Sequence, residues 1–272
     1  MKNSDQIRNA IRERYSGFAE GKSSLLSCCQ PNEGGASCCG GKEFSFDEIS
    51  LKVGYSKKEI NSVPEGANMG LGCGNPQAIA SLKEGETVLD LGCGGGFDIF
   101  LAASQVGKTG KAIGVDMTPK MVSLARSNAE KGGFENTDFR LGEIEYLPVA
   151  DNTVDVIISN CVINLSPEKQ KVFNESFRVL KPGGRLAISD VVALQQFPEA
   201  IKNDLELYGG CISGASPVDE VENMLKNAGF SEIRITLKEE SKKFIKEWTS
   251  VTNITDYISS AIIEAVKPKT EK

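Results

Sequence analysis

The stretch Thr87–Asp98 reads T-V-L-D-L-G-C-G-G-G-F-D. An apolar, β-branched run closes on an acid, and a glycine-rich turn follows at once. That order predicts a buried strand ending in a tight turn that opens a helix. Gly92, Gly94 and Gly96 form G-x-G-x-G, and backbone without β-carbons can turn sharply there and approach a ligand closely. Asp90 sits two residues before the first glycine. The dinucleotide pattern G-x-G-x-x-G needs glycine at position 97, where the chain has Phe97.

The flanking residues extend the pattern. Lys111–Val115, K-A-I-G-V, predicts a second strand that ends at Asp116, placed to accept hydrogen bonds from ribose hydroxyls. Thr118-Pro119 opens a helix, with threonine able to cap and proline tolerated at the first helical position. Leu180–Gly184, L-K-P-G-G, precedes a strand expected over Arg185–Asp190. Together these features resemble the class I S-adenosylmethionine (SAM)-dependent methyltransferases. The resemblance implies an α/β, Rossmann-like fold: a mostly parallel seven-stranded sheet, helices on both faces, and here an N-terminal helical, cysteine-rich arm.

Strands are expected near 87–91, 111–115, 137–141, 154–159 and 185–191, with helices near 97–106, 119–131, 168–180, 198–208 and 217–228. Two further strands, near 232–238 and 259–266, would close the sheet as an antiparallel pair. Residues 4–18 predict an amphipathic helix, with Ile7, Ile11, Tyr15 and Phe18 at near-helical spacing. Residues 22–43 are rich in Ser, Gly and Cys and predict a flexible segment, and Ser56-x-x-Glu59 predicts a capping box on a short helix. The expected division is an arm over 1–65, a SAM-binding core over 66–195, and substrate-binding helices with the closing hairpin over 196–272.

Ligands of such sheets bind outside the carboxyl ends of the strands. That rule selects Gly92–Gly96, Asp116 with Met117, the turn Gly142–Glu145, and Ser159–Leu165 with Asn160. In the turn after the third strand, Ile144 can pack on an adenine ring, and the carboxylate of Glu143 or Glu145 can accept from its exocyclic amine.

The chain has eight cysteines and no histidine, so chemistry based on a histidine base, triad or metal ligand is excluded. A net charge of −6 without a basic run disfavours nucleic acid as a partner. No apolar run approaches the roughly 18 residues of a membrane helix, and no signal peptide is expected. The expectation is a cytoplasmic protein with reduced thiols. Cys161 follows the fourth strand in S-N-C-V-I-N-L and should face the methyl-donor pocket. Cys73 and Cys211 lie in glycine-rich loops, where core packing is poor. Cys93, inside the glycine turn, reads as a small structural residue. Each free cysteine can also be an ordinary buried apolar residue.

The motifs G-A-N-M-G-L-G-C-G-N-P, I-S-N-C-V-I-N-L and G-C-I-S-G-A, added to the cofactor motifs, resemble the arsenite methyltransferases of short microbial form over nearly the whole length. The resemblance implies that Cys73, Cys161 and Cys211 bind arsenic(III) as substrate, whose lone pair attacks the methyl group of SAM without a base. It also implies a fourth functional cysteine in the arm, assigned to Cys29 within the pairs Cys28-Cys29 and Cys38-Cys39, and an external thiol reductant, small thiols or thioredoxin. Zinc binding by the two pairs departs from the usual C-x2-C spacing. Two other readings are a methyltransferase for a small quinone- or sterol-like acceptor, and a non-catalytic metalloid-binding thiol protein.

Overall fold

The computed structural model describes residues 3–22, 45–202, 204–249 and 251–269. Seven strands form one sheet: β1 (Thr87–Leu91), β2 (Lys111–Asp116), β3 (Thr137–Leu141), β4 (Val154–Asn160), β5 (Leu180–Ala193), β6 (Ser231–Lys238) and β7 (Ile258–Val266). Their order is β3-β2-β1-β4-β5-β7-β6. β1 to β5 pair in parallel, and β7 runs antiparallel between β5 and β6. The strand order reverses beside β1, which leaves a crevice at the carboxyl ends of β1 and β4.

Helices cover both faces, so the central strands are apolar on both sides. Val88 packs with Ile99, Phe100 and Val122 on one face. Leu89 and Leu91 pack with Val172, Phe173 and Leu225 on the other. Phe100 and Phe173 are fully buried, each contributing about 1.5–3 kcal/mol of apolar burial. A third cluster, holding Ile11, Cys73, Cys161, Cys211 and Ile245, is separate from these two.

The expected elements form, with three local differences. β5 begins at Leu180, ahead of the expected Arg185, because L-K-P-G-G is drawn into the sheet as an irregularity where the β4–β5 register shifts between Val154 and Val156. The single helix expected over 198–208 is two short helices, Glu199–Lys202 and Leu205–Gly209. The second starts afresh because the Asp204 carboxylate accepts from the N–H groups of Glu206 and Leu207. Thr118 occupies the N-cap position of helix Pro119–Gly132 but makes no side-chain cap bond.

Helix α1 (Ser4–Ala19) forms at the predicted place, closed by a capping box between Asn3 and Gln6. It buries Ile11 and Phe18 and lies against the helices Pro119–Gly132 and Leu205–Gly209. Helix α2 (Phe46–Lys52) was not anticipated, although Ser45 and Glu48 form a capping box there. The capping box of Ser56 and Glu59 is present as predicted. Cys28, Cys29, Cys38 and Cys39 lie outside the described residues.

Candidate active site

A cavity of about 1120 Å³, open mouth included, lies at the carboxyl ends of β1, β2 and β4. The glycine turn forms one wall. Gly92 and Gly94 have φ of 70° and 50°, and a β-carbon on Gly94 would meet only open space. Gly96 (φ 94°) instead starts the helix Phe97–Val106 over the Phe100 ring. Asp116 accepts from Thr118 N–H at 2.8 Å and from Gly94 N–H at 3.0 Å, which pins the turn to the tip of β2. Met117 and Ile144 add apolar lining. Cys93 packs against Gly114 of β2, as a small structural residue should.

Two buried carboxylates, Asp90 and Asp98, and the half-buried Asp116 face this cavity. Burial pushes Asp116 up, and burial with the charges of Asp98 and Asp116 pushes Asp90 well above the usual carboxylate range. Burial likewise moves Asp98 up to about 6, against the hydrogen bond from Tyr55. A cation in the cavity would relieve all three.

Asn160 joins this cavity to the thiol loop. Its Oδ1 accepts from Cys73 N–H at 3.0 Å. Its Nδ2 donates to Tyr55 Oη at 2.9 Å and to Gly74 O at 2.9 Å. Tyr55 Oη in turn bonds both Asp98 oxygens, at 2.8 and 2.9 Å. The side chain is thus occupied within the protein, and it holds Cys73 in register with the cofactor wall.

The three predicted cysteines come together. Cys73 is fully buried, and Cys161 and Cys211 nearly so. The Cys161 and Cys73 sulfurs lie within 4.8 Å of each other, and Cys211 also acts electrostatically on the Cys161 thiol. The Cys211 thiol donates to the Cys161 carbonyl at 2.7 Å. Cys161 and Cys211 take φ of 60° and 63°, a left-handed backbone that non-glycine residues rarely adopt and that clusters at functional sites. Hydrogen bonds with Cys211 and Cys73, with burial, raise the Cys161 thiol well above its usual range, and burial raises Cys73. Both are therefore neutral thiols near pH 7.

A second, more apolar cavity, lined by Phe18, Phe244 and Trp248, lies on the far side of Cys161. Cys161 and Tyr15 line both cavities; Cys211 lines the second, and Cys73 sits behind them. α1 contributes Arg8 to the first cavity and Arg14 to the second. The turn Gly142–Glu145 meets this helix. Arg8 Nη2 bonds Glu145 Oε1 at 3.1 Å and Glu168 Oε2 at 2.7 Å, and Glu143 pairs with Arg8 and Arg12. Glu145 also accepts from Ser166 Oγ at 2.7 Å. Ile144 and Glu145 line the cavity, whereas the Glu143 carboxylate is turned to α1. Gly142 donates its N–H to the Asp116 carbonyl, and a β-carbon there would strike Pro148.

Sequence reasoning passed over Arg8, Tyr55, Asp98 and Asp190. Asp98 stands within the quoted glycine motif, and Asp190 closes the strand expected over Arg185–Asp190, so a signal existed for both. Arg8 and Tyr55 carried none, because their partners lie far away in the chain.

A sheet of this order, with the glycine turn, the acid at the tip of β2 and a cavity between them, defines a class I SAM-dependent methyltransferase. Residues 82–229 match the family of methyltransferase domains. An arsenite methyltransferase of Halobacterium salinarum is 50% identical over 97% of this chain and 67% of its own length. An arsenite methyltransferase of Mus musculus is 35% identical over 80% of this chain and 60% of its own. The crystal structure of an arsenic(III) S-adenosylmethionine methyltransferase from Chlamydomonas reinhardtii superposes with a TM-score of 0.62 at 31% identity, covering 82% of this chain and 74% of that one. The chain belongs to the arsenite methyltransferase family. It spans about 60–67% of the length of these two relatives. Among the described residues no helix is long and apolar enough to cross a membrane.

Proposed function

We propose that this protein transfers a methyl group from SAM to trivalent arsenic held by Cys73, Cys161 and Cys211. The observation that carries this reading is the place of Cys161, which borders both cavities and has the other two thiols within reach.

The cofactor cavity suits SAM: Gly94 leaves open space, Asp116 offers lone pairs, Ile144 offers an apolar surface, and the carboxylates welcome a cation. When bound, SAM supplies a methyl group on a positively charged sulfur. Every other task falls to the protein. Each thiol can displace one hydroxide from arsenite, the S–H proton leaving with that hydroxide as water, so no base is required. This agrees with a chain that lacks histidine. Three sulfurs leave arsenic one lone pair, and the cluster directs it toward the cavity that Cys161 shares. The protein contributes mainly proximity and orientation. Methylation raises arsenic by two oxidation units. Two thiols return the two electrons as they join in a disulfide, which small thiols or thioredoxin then reduce. Cys29 or another arm cysteine is a candidate partner for that disulfide. A reduced compartment, the cytoplasm, suits such thiols.

The test is product analysis after incubation with arsenite, SAM and a thiol reductant. Methylated arsenic that vanishes in Cys161→Ser and Cys211→Ser supports the reading. SAM binding without methylated arsenic would shift the reading to a small organic acceptor in the apolar second cavity.

A further inference from the structure

Asp190 lies where an arsenic site does not require it. One of its carboxylate oxygens and the sulfurs of Cys73 and Cys161 all lie within 4.8 Å of one another, and all three residues are buried. The carboxylate is fixed by three donors: Ile163 N–H at 3.0 Å, Asn164 Nδ2 at 2.8 Å and Val191 N–H at 2.7 Å. A ligand oriented by such partners is the arrangement found around protein metal sites. Lys169, anchored to the Gly214 carbonyl at 2.7 Å, places a positive charge in the field of Asp190 and Cys211.

Two thiols with a carboxylate are a mixed soft and hard donor set. Trivalent arsenic takes three sulfurs and gains little from the oxygen. A divalent thiophilic cation is content with sulfur and oxygen together in a tetrahedral shell. Zinc-to-sulfur bonds of about 2.3 Å set ligand atoms about 3.7 Å apart, so the cluster need contract by no more than about 1 Å, within reach of side-chain rotation.

We propose that Cys73, Cys161 and Asp190 form a site for a divalent thiophilic cation, Zn2+ or Cd2+, with water in the fourth position. Binding releases both thiol protons to solvent, leaving two thiolates and a carboxylate around the cation. Cys211 is not a ligand, since the donor atoms that lie within 4.8 Å of one another are those of Cys73, Cys161 and Asp190 and do not include its sulfur. Insofar as the arsenic reading holds, the cation competes with arsenite, because the two share Cys73 and Cys161.

The test uses Cd2+ on the full chain with Cys28, Cys29, Cys38 and Cys39 replaced by serine, without arsenite or SAM. The expected result is one Cd2+ per chain with a thiolate-to-metal charge-transfer band, and an X-ray absorption shell of two sulfurs with oxygens. Asp190→Asn lowers Cd2+ affinity at least about tenfold and leaves arsenite affinity within about threefold. Cys211→Ser does the reverse. A shell of three or more sulfurs, or no stoichiometric Cd2+ binding, overturns the proposal. The absorption measurement needs no Asp190 variant, so the test stands even if that variant misfolds. Because cadmium is read directly, failure of this site and failure of arsenic methylation are separate outcomes.

Discussion

The carbonyl of Cys161 accepts the Cys211 thiol at 2.7 Å, and both residues hold left-handed backbone at φ of 60° and 63°. A loop after β4 and a loop after the helix Leu205–Gly209 are thereby locked sulfur to backbone. Each cysteine is kept in a conformation that glycine would adopt more readily, so the thiols are retained against a local cost.

That cost can be measured. Cys211→Gly should be more stable than Cys211→Ala by about 1 kcal/mol, because only the glycine relieves the positive φ. Thermal denaturation of the two variants checks this; equal melting temperatures would mean the backbone carries no strain. Both variants should lose methyl transfer.

Gly72→Ala should separate thiol placement from cofactor binding. An added β-carbon would lie 2.5 Å from Asn160 Nδ2 and 2.9 Å from its Cγ. Asn160 must then swing away and release Cys73 N–H. Affinity for arsenite should fall about tenfold, the worth of a lost positioning contact, while S-adenosylhomocysteine binding changes less than about threefold. Isothermal titration of both ligands reads this, and unchanged arsenite affinity would remove Asn160 from the coupling.

Binding of SAM should depend on pH through Asp98. Burial holds its carboxyl proton up to about pH 6 in the unliganded fold, against a usual 3.8 in the unfolded chain. The fold therefore binds more protons between those values, and Asp98 makes stability fall as pH rises through that window. A cationic ligand favours the ionised form. The Asp98 contribution to affinity should then weaken below pH 6 by up to about tenfold per pH unit and be level above it. A flat profile, or one unaltered in Asp98→Asn, would detach Asp98 from the ligand.

Arg8→Met should free α1. The guanidinium lies against Glu145, Glu143 and Glu168, with its side chain only 10% exposed and that of Glu145 4% exposed. Removing it leaves Glu145 buried beside no cation, a loss of up to about 3 kcal/mol, which undocking of the helix reduces. Limited proteolysis should then cut α1 well before the core, and SAM binding should weaken as the roof of the cavity opens. Protection equal to wild type would show that apolar contacts such as Ile11 hold the helix alone.

Sequence by itself determined the alternation of strand and helix, the glycine turn, the acid at Asp116 and the closing antiparallel strands. These are written in local periodicity and turn chemistry, which act over a few residues. It also marked Cys73, Cys161 and Cys211 as candidates, through their glycine-rich or strand-end settings. Only the tertiary structure decided that Cys161 stands between the other two and borders both cavities. It alone turned Glu143 toward α1, set Asn160 between Tyr55 and Cys73, and brought Asp190 beside the thiols. Those relationships join loops from separate strands and a helix from the start of the chain. They arise from how the sheet stacks and which side chains it buries together, and no local pattern encodes them.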